Sequence, residues 1–407
     1  MAIINKEAIY LLMGVLIIIS GCSKSKTNQS KVDEYNFDKQ ESSQQKDYSD
    51  ELVEVDVTKT YPKIDIHLED IADVEFVSLE TNNDYLCNGN PVAFTDSFIL
   101  YANKKEGSVF VFDKSGKAMQ RFNHKGQSGK EYVAISQALW DDKNKELYIN
   151  DMFTKRILVY DLDGNYKRSF YHAKGQFENI VNYSDSSLIC RDVDGSFGLF
   201  PDEAPKNPFT IISKQTGKII KDIVIPFKEK LTIAIDGNTP SVDQLFNFGD
   251  KSIMTEQSSD TIYSISENCK LSPMIVRTPT VRTMTVPVFL FVRFVTSRYI
   301  FMQSFKKEFD EKTGKGFSGA LLVYDRKDKR TYEYALSYQG TKLSFASFPK
   351  IRSLCFTTNK DVHIGEMNTY LLKKQEHDND LTGSLKELAA KVTEDDNPVL
   401  MKITFKR

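Results

Sequence analysis

Residues 108–117 read SVFVFDKSGK, residues 121–132 RFNHKGQSGKEY, and residues 134–170 AISQALWDDKNKELYINDMFTKRILVYDLDGNYKRSF. In the first stretch the apolar run Val109-Phe110-Val111-Phe112 ends at Asp113, and Gly116 follows three places later. In the third stretch Ile157-Leu158-Val159-Tyr160 ends at Asp161, and Gly164 follows at the same distance. β-branched and aromatic residues suit a pleated, half-buried surface. An Asp side chain can bond the backbone two residues on, and Gly accepts a positive φ, so each run closes in a tight turn. A further strand-like run, Glu146–Asp151, precedes the second copy. Strand, strand, turn, strand in a fixed order is the plan of one antiparallel propeller blade.

The unit recurs at Thr210–Lys218 (TIISKQTGK), more weakly at Thr261–Asn268 (TIYSISEN), and again at Leu321–Asp328 (LLVYDRKD). Equivalent turn residues are separated by 48, 52, 53 and 59 residues. Spacings near 40–50 residues belong to propeller blades and not to helical solenoids. Their lengthening predicts loop insertions in the later blades. A sixth blade is expected from the two ends of the domain, VEFVSLE in Lys63–Thr81 pairing with VLMKITFK in Pro398–Lys406. That pairing closes the ring and removes exposed edges. The expected fold is all-β, a six-bladed β-propeller of four-stranded antiparallel blades, closed by N- and C-terminal strands. One short helix, Gly383–Val392, is expected just before the closing strand from its i, i+3, i+4 apolar spacing.

Three segments organise the chain. Residues 1–22 read as a signal peptide: Lys6, then a short apolar stretch from Ala8 to Ile19 that is below the roughly 20 residues a membrane span needs. It ends in Ile19-Ser20-Gly21-Cys22, which resembles the lipobox of bacterial lipoproteins, with Cys22 as the residue to be acylated. Residues 23–50, rich in Ser, Lys, Asn, Gln and Asp, bury too little to order themselves and read as a tether of about 30 Å. Residues 51–407 form the propeller. Ser-Lys-Ser-Lys follows Cys22 in place of an acidic export cluster, so the expected location is the cell envelope, at the periplasmic face of the outer membrane. The apolar run Thr283–Phe305 is interrupted by Pro287, Arg293 and Arg298, so it is read as two buried strands with a bend and not as a membrane helix.

The runs FDKSGK, GQSGKEY and ELYINDMFTKRILVYDLDG, with the opening VEFVSLET (Val74–Thr81) and the closing DDNPVLMKITFK (Asp395–Lys406), resemble the six-bladed, NHL-like β-propeller lipoproteins of Gram-negative gut-type bacteria. The family's usual connector is close to Gly-Gln-Gly-Pro-Gly-Glu-Tyr; here Ser128-Gly129 stands at its centre. The resemblance spans about residues 60–407. It implies fold and envelope location but no agreed activity, and a fold does not itself imply a function.

The net charge is −2 with basic residues scattered, which gives no footprint for nucleic acid. The five histidines form no HxH or HxxxH pair, and no CxxC is present, so neither a metal site nor a cofactor is expected. Cys87, Cys190, Cys269 and Cys355 are read as unpaired, Cys190 and Cys355 lying in apolar strands of different blades. Asp161-x-Asp163-Gly164-Asn165 lacks the glycine and glutamate positions of a calcium loop and is read as a turn. Gly126-x-x-Gly129-Lys130 lacks the spacing and the following helix of a phosphate loop. Gly316-Phe317-Ser318-Gly319 leads into a strand, unlike a nucleophile elbow.

The remaining signal is geometric. Connectors entering the innermost strands gather at one mouth of the central channel, and Gln127, Glu131, Tyr132 and Arg293 are the candidate ligand-binding residues there. The expected function is a lipid-anchored binding or interaction module for a peptide, glycan or protein partner of the envelope. The alternative, which the resemblance implies, is an NHL-like propeller enzyme, a lyase or a lactone or ester hydrolase.

Overall fold

A computed structural model describes residues 51–193, 207–345 and 348–407. The segments expected to be a signal peptide and a tether, with Cys22, lie outside the described residues.

Six sheets form six blades. Blade 1 comprises Asn90–Phe94, Phe98–Ala102, Ser108–Asp113 and Ala118–Asn123, and blade 2 comprises Gln137–Asp141, Glu146–Asp151, Arg156–Tyr160 and Tyr166–Tyr171. Blade 3 is Phe177–Asn182, Ser187–Asp192, Phe209–Ser213 and Ile219–Ile223; blade 4 is Leu245–Phe248, Lys251–Met254, Thr261–Ile265 and Leu271–Thr278. Blade 5 is Val288–Val295, Tyr299–Lys306, Leu321–Asp325 and Arg330–Tyr338. Blade 6 joins Lys350–Ile351, Val362–Met367 and Val399–Phe405 to the N-terminal strand Ala72–Ser78. That closing pair is antiparallel with Val74 opposite Ile403 and Phe76 opposite Met401.

Six apolar clusters hold the ring, each shared by two successive blades. Between blades 1 and 2, for example, Leu100, Val109 and Val111 meet Trp140, Leu147 and Leu158. Between blades 6 and 1, Ile364 and Leu400 meet Ile99, Phe110 and Phe112. Middle strands are covered on both faces: all six residues of Glu146–Asp151 are buried, the apolar Leu147, Tyr148 and Ile149 flanked by the polar Glu146, Asn150 and Asp151, whereas the outer strand Tyr166–Tyr171 is largely open to solvent. A blade cut from the ring would expose both faces at roughly 25 cal/mol per Å² of apolar surface, so no blade is stable alone.

The turn glycines do more than supply a positive φ. Gly164, at φ 83°, lies where a Cβ would come 2.6 Å from the Phe122 ring of blade 1, and Gly217, at φ 70°, stands likewise 2.5 Å from Phe170 of blade 2. Each repeat turn is thus lodged on the outer strand of the preceding blade. Asp161 closes its turn by accepting the Asn165 N–H at 2.8 Å and the Asn165 side-chain amide at 3.0 Å.

Two features go beyond the sequence reading, the added strands and the additional helices. Val53–Asp56 runs parallel to the outer strand of blade 4 and Lys63–His67 parallel to that of blade 5, so these blades have a fifth strand. The helix expected at Gly383–Val392 covers Gly383–Ala389 and is joined by Thr369–His377 and the single turn Leu68–Ile71. Thr369–His377 buries only Thr369 and Leu372, and its start is fixed by Asn368, whose side chain accepts the Leu371 N–H; so narrow an apolar face gives little periodic signal. The later blades do carry insertions: a small hairpin, Phe309–Asp310 with Lys315–Gly316, interrupts blade 5. Residues 283–305 hold two antiparallel strands, and no described helix is long and apolar enough to cross a membrane.

Candidate functional site

The inner strands and their connectors enclose a cavity of about 110 Å³ on the channel axis. Blade 1 contributes Asn90 and Lys104, blade 2 Ile135 and Gln137, blade 4 Asp243, blade 5 Arg293, and blade 6 Lys350, Arg352 and Ser353. Glu178 of blade 3 does not line the cavity, but its charge raises the Lys104 pKa.

These side chains differ in how far they are already engaged. Glu178 is paired with Arg191, which also donates to Gln244 Oε1 at 3.1 Å. Arg352 Nη2 donates to both carboxylate oxygens of Glu366 at 3.2 and 3.3 Å, and Tyr101 donates to the same carboxylate at 3.3 Å. The Arg352 Nε is buried with no partner. Arg293 Nη1 donates to the Ser241 carbonyl at 2.8 Å. Ser353 Oγ bridges Asp243 Oδ2 at 2.8 Å and the Arg293 carbonyl at 3.0 Å. Lys104 and Lys350 make no hydrogen bond or ion pair with any described residue.

Burial pushes the Lys104 ammonium below its ordinary value, and Arg352 pushes the same way; Asp243 and Glu178 oppose them. Lys104 is nevertheless exposed to water. A side chain standing in a narrow, wet channel meets both conditions: solvent reaches it, but low-dielectric walls penalise its charge. Lys350 is lowered by burial first and by Arg352 and Arg293, against Glu366 and Asp243. Arg293 is lowered by burial, with Asp243 opposing. The cavity therefore holds more positive charge than its own carboxylates offset.

Of the residues singled out in the sequence, Arg293 lines this cavity; Gln127, Glu131 and Tyr132 do not. Tyr132 is fully buried in the core between blades 1 and 2, where its hydroxyl donates to the Gly107 carbonyl at 2.6 Å and accepts the His124 N–H at 3.1 Å. Burial raises its phenol to about 12. Glu131 folds back on its own connector: its carboxylate accepts the Ser128 N–H at 2.9 Å, a bond that lowers its pKa, and its carbonyl accepts from Arg156. Gln127 is exposed. Lys104, Asp243, Lys350 and Arg352 were not found by sequence reasoning. The one available signal was a cation inside an otherwise apolar strand, and only Arg293, in Val288–Val295, carries it.

The four cysteines beyond residue 50 are free, and no group of three His, Cys, Asp or Glu side chains able to hold a metal ion occurs among the described residues. His172 and His363 are half-buried, and both ring nitrogens of His172 and the one bonded nitrogen of His363 are spent on the fold. His172 Nδ1 accepts the Phe177 N–H at 3.1 Å while Nε2 faces Asn150 Oδ1 at 2.9 Å, and His363 Nε2 donates to the Val295 carbonyl at 2.9 Å.

Residues 52–277, more than half of the chain, match the family model described as "Domain of unknown function (DUF4934)". The chain belongs to the DUF4934 family. No curated protein matches it in sequence. Among solved structures it is similar to a "Putative exported protein" of Bacteroides fragilis, at TM-score 0.63 and 15% identity over 88% of this chain and 100% of that one. A member of the duf4221 family from Bacteroides vulgatus aligns at TM-score 0.49 and 10% identity, over 83% and 98% of the two chains. A virginiamycin B lyase of Staphylococcus aureus aligns at TM-score 0.40 and 12% identity, over 82% and 100%. At these identities the likeness is one of fold. The DUF4934 chain described here shares the propeller with the first of them.

Proposed function

We propose that this DUF4934 propeller is a lipid-anchored binding module of the cell envelope, held by an acylated Cys22 at the periplasmic face of the outer membrane. Its ligand, part of a peptide, glycan or protein partner, enters the mouth of the central channel. The observation that carries this reading is the cavity on the channel axis, whose lining comes from five blades and includes two lysines whose side chains have no partner among the described residues. Side chains from so many blades converge on one point only because the ring is closed, which gives a rigid, pre-formed recognition site. The lipobox and the fold shared with a protein named as exported support the location.

Two experiments test it. Labelled palmitate should enter the wild-type chain and not Cys22→Ser, and the wild-type chain should fractionate with outer membranes. Pull-down with the lipidated chain should recover a specific envelope component, and loss of every specific partner would overturn the reading. Turnover of a lactone or ester by the purified chain would favour the enzymatic alternative.

A further inference from the structure

The charge around the channel is unevenly placed. Arg293 belongs to blade 5, Lys350 and Arg352 to blade 6, and Lys104 to blade 1. These blades are consecutive, so the cations form one arc. The facing arc, blades 2 to 4, brings the neutral Gln137, the Glu178–Arg191 pair, and Asp243 bonded to Ser353. Gln137 is fully spent on blade 3, donating to the Ile180 carbonyl and accepting the Ile180 N–H, both at 2.8 Å. Within the cationic arc, among the described residues, only Arg352 has a carboxylate partner, Glu366, and its Nε still lacks an acceptor there.

We propose that this arc is an oxyanion site: Lys104, Lys350 and Arg293, with the free Nε of Arg352, hold one carboxylate, sulfate or phosphate group of the ligand. The assignment rests on the binding-module reading and names the chemistry of its site. Uncompensated like charges in a confined channel are costly, and a bound oxyanion offsets that cost while supplying the acceptors these groups lack. The cavity has room for such a group but not for a whole oligomer, so the rest of the ligand stays at the mouth. No aromatic side chain lines it, so recognition there depends on charge and hydrogen bonding and not on stacking.

The test uses the full chain and, by isothermal titration calorimetry, three probes: citrate for carboxylate, and sulfate and inorganic phosphate for the inorganic oxyanions. At least one should bind with one-to-one stoichiometry. Lys104→Gln/Lys350→Gln should weaken that binding at least tenfold, while Lys218→Gln, an exposed lysine in a turn of blade 3, should leave it unchanged. Which probe binds most tightly identifies the source of the oxyanion. Circular dichroism and melting establish that the double variant is folded; its melting point without anion should be no lower than that of the wild type, because the change removes repulsion. Sulfate also stabilises proteins without binding, by exclusion from their surface, so only the difference between variants counts. No binding of any probe, or equal binding by the double variant, overturns the proposal. A pull-down partner retained by the double variant would then show that the binding-module reading stands without it, whereas loss of all partners from the wild type would remove both.

Discussion

In blades 1, 2 and 3 the turn before the outer strand contains a glycine lodged against the neighbouring blade: Gly116 against the Ser78 carbonyl, Gly164 against Phe122 and Gly217 against Phe170. In the matching turns of blades 4 and 5 the left-handed residue is Cys269 or Lys329, at φ 60° and 56°. There contact is made by other means. Tyr183 of blade 3 donates to the Ser266 carbonyl at 2.6 Å and accepts the Cys269 N–H at 2.9 Å, and the N-terminal strands clad the outer edges of blades 4 and 5. On top of the apolar clusters shared around the whole ring, the turns of the first half add glycines set close against the neighbouring blade, and the second half adds polar ties and extra strands. The second half is also where Asp243, Arg293, Lys350 and Arg352 enter the channel.

Acid should affect both halves and have the largest effect. Burial lowers His172, between blades 2 and 3, to about 3 and His363, in blade 6, to about 4. The unfolded chain takes up these protons below about 6.5, but the folded chain does not until near those lower values. The stability is therefore complete above pH 6.5 and drains as the pH falls. By pH 5 each histidine should have cost about 2 kcal/mol, at roughly 1.4 kcal/mol per unit. Urea unfolding at pH 7 and pH 5 measures the loss, and an imidazole resonance of either residue titrating near 6.5 would contradict it.

Cladding is tested by Ile66→Ala, in the strand along blade 5, against Ile220→Ala on the bare edge of blade 3. Ile66 is 1% exposed and Ile220 is 59% exposed. The first should cost about 3 kcal/mol and the second no more than about 0.5 kcal/mol, by equilibrium denaturation. Equal costs would mean that the added strand is decoration. Gly164→Ala should cost about 2 kcal/mol, from the left-handed backbone together with the collision with Phe122. Tyr183→Phe, which removes the polar tie of blade 4, should cost about 1 kcal/mol. If Tyr183→Phe proves costlier than Gly164→Ala, the contrast between the halves is reversed.

The same contrast explains what was legible. Asp113, Gly116, Asp161, Gly164 and Gly217 advertise the repeat because turn chemistry is local. The closing pair was visible because Val399–Phe405 is strongly apolar and Ala72–Ser78 carries the β-branched and aromatic run Val74, Phe76 and Val77. Val53–Asp56 and Lys63–His67 are short and alternating, and nothing in such a run names the outer edge of a distant blade as its partner. The channel site was the least legible part. Its residues come from segments up to about 250 positions apart, so no spacing links Lys104 to Lys350. Arg293 stood out only as a charge in an apolar run. The Gly126–Tyr132 connector was the most conspicuous motif, yet Tyr132 is spent on the backbone of its own blade interface. A conspicuous local motif reports local structure, whereas the cavity is a property of the closed ring.

The most direct measurement is a crystal structure of the protein soaked in citrate, sulfate or phosphate. The account predicts an oxyanion in the channel within about 3 Å of the Lys104 and Lys350 ammonium groups, with Arg293 or the Arg352 Nε as a further donor. A channel holding water alone at saturating anion, or anions bound only on the outer faces of the blades, would contradict it.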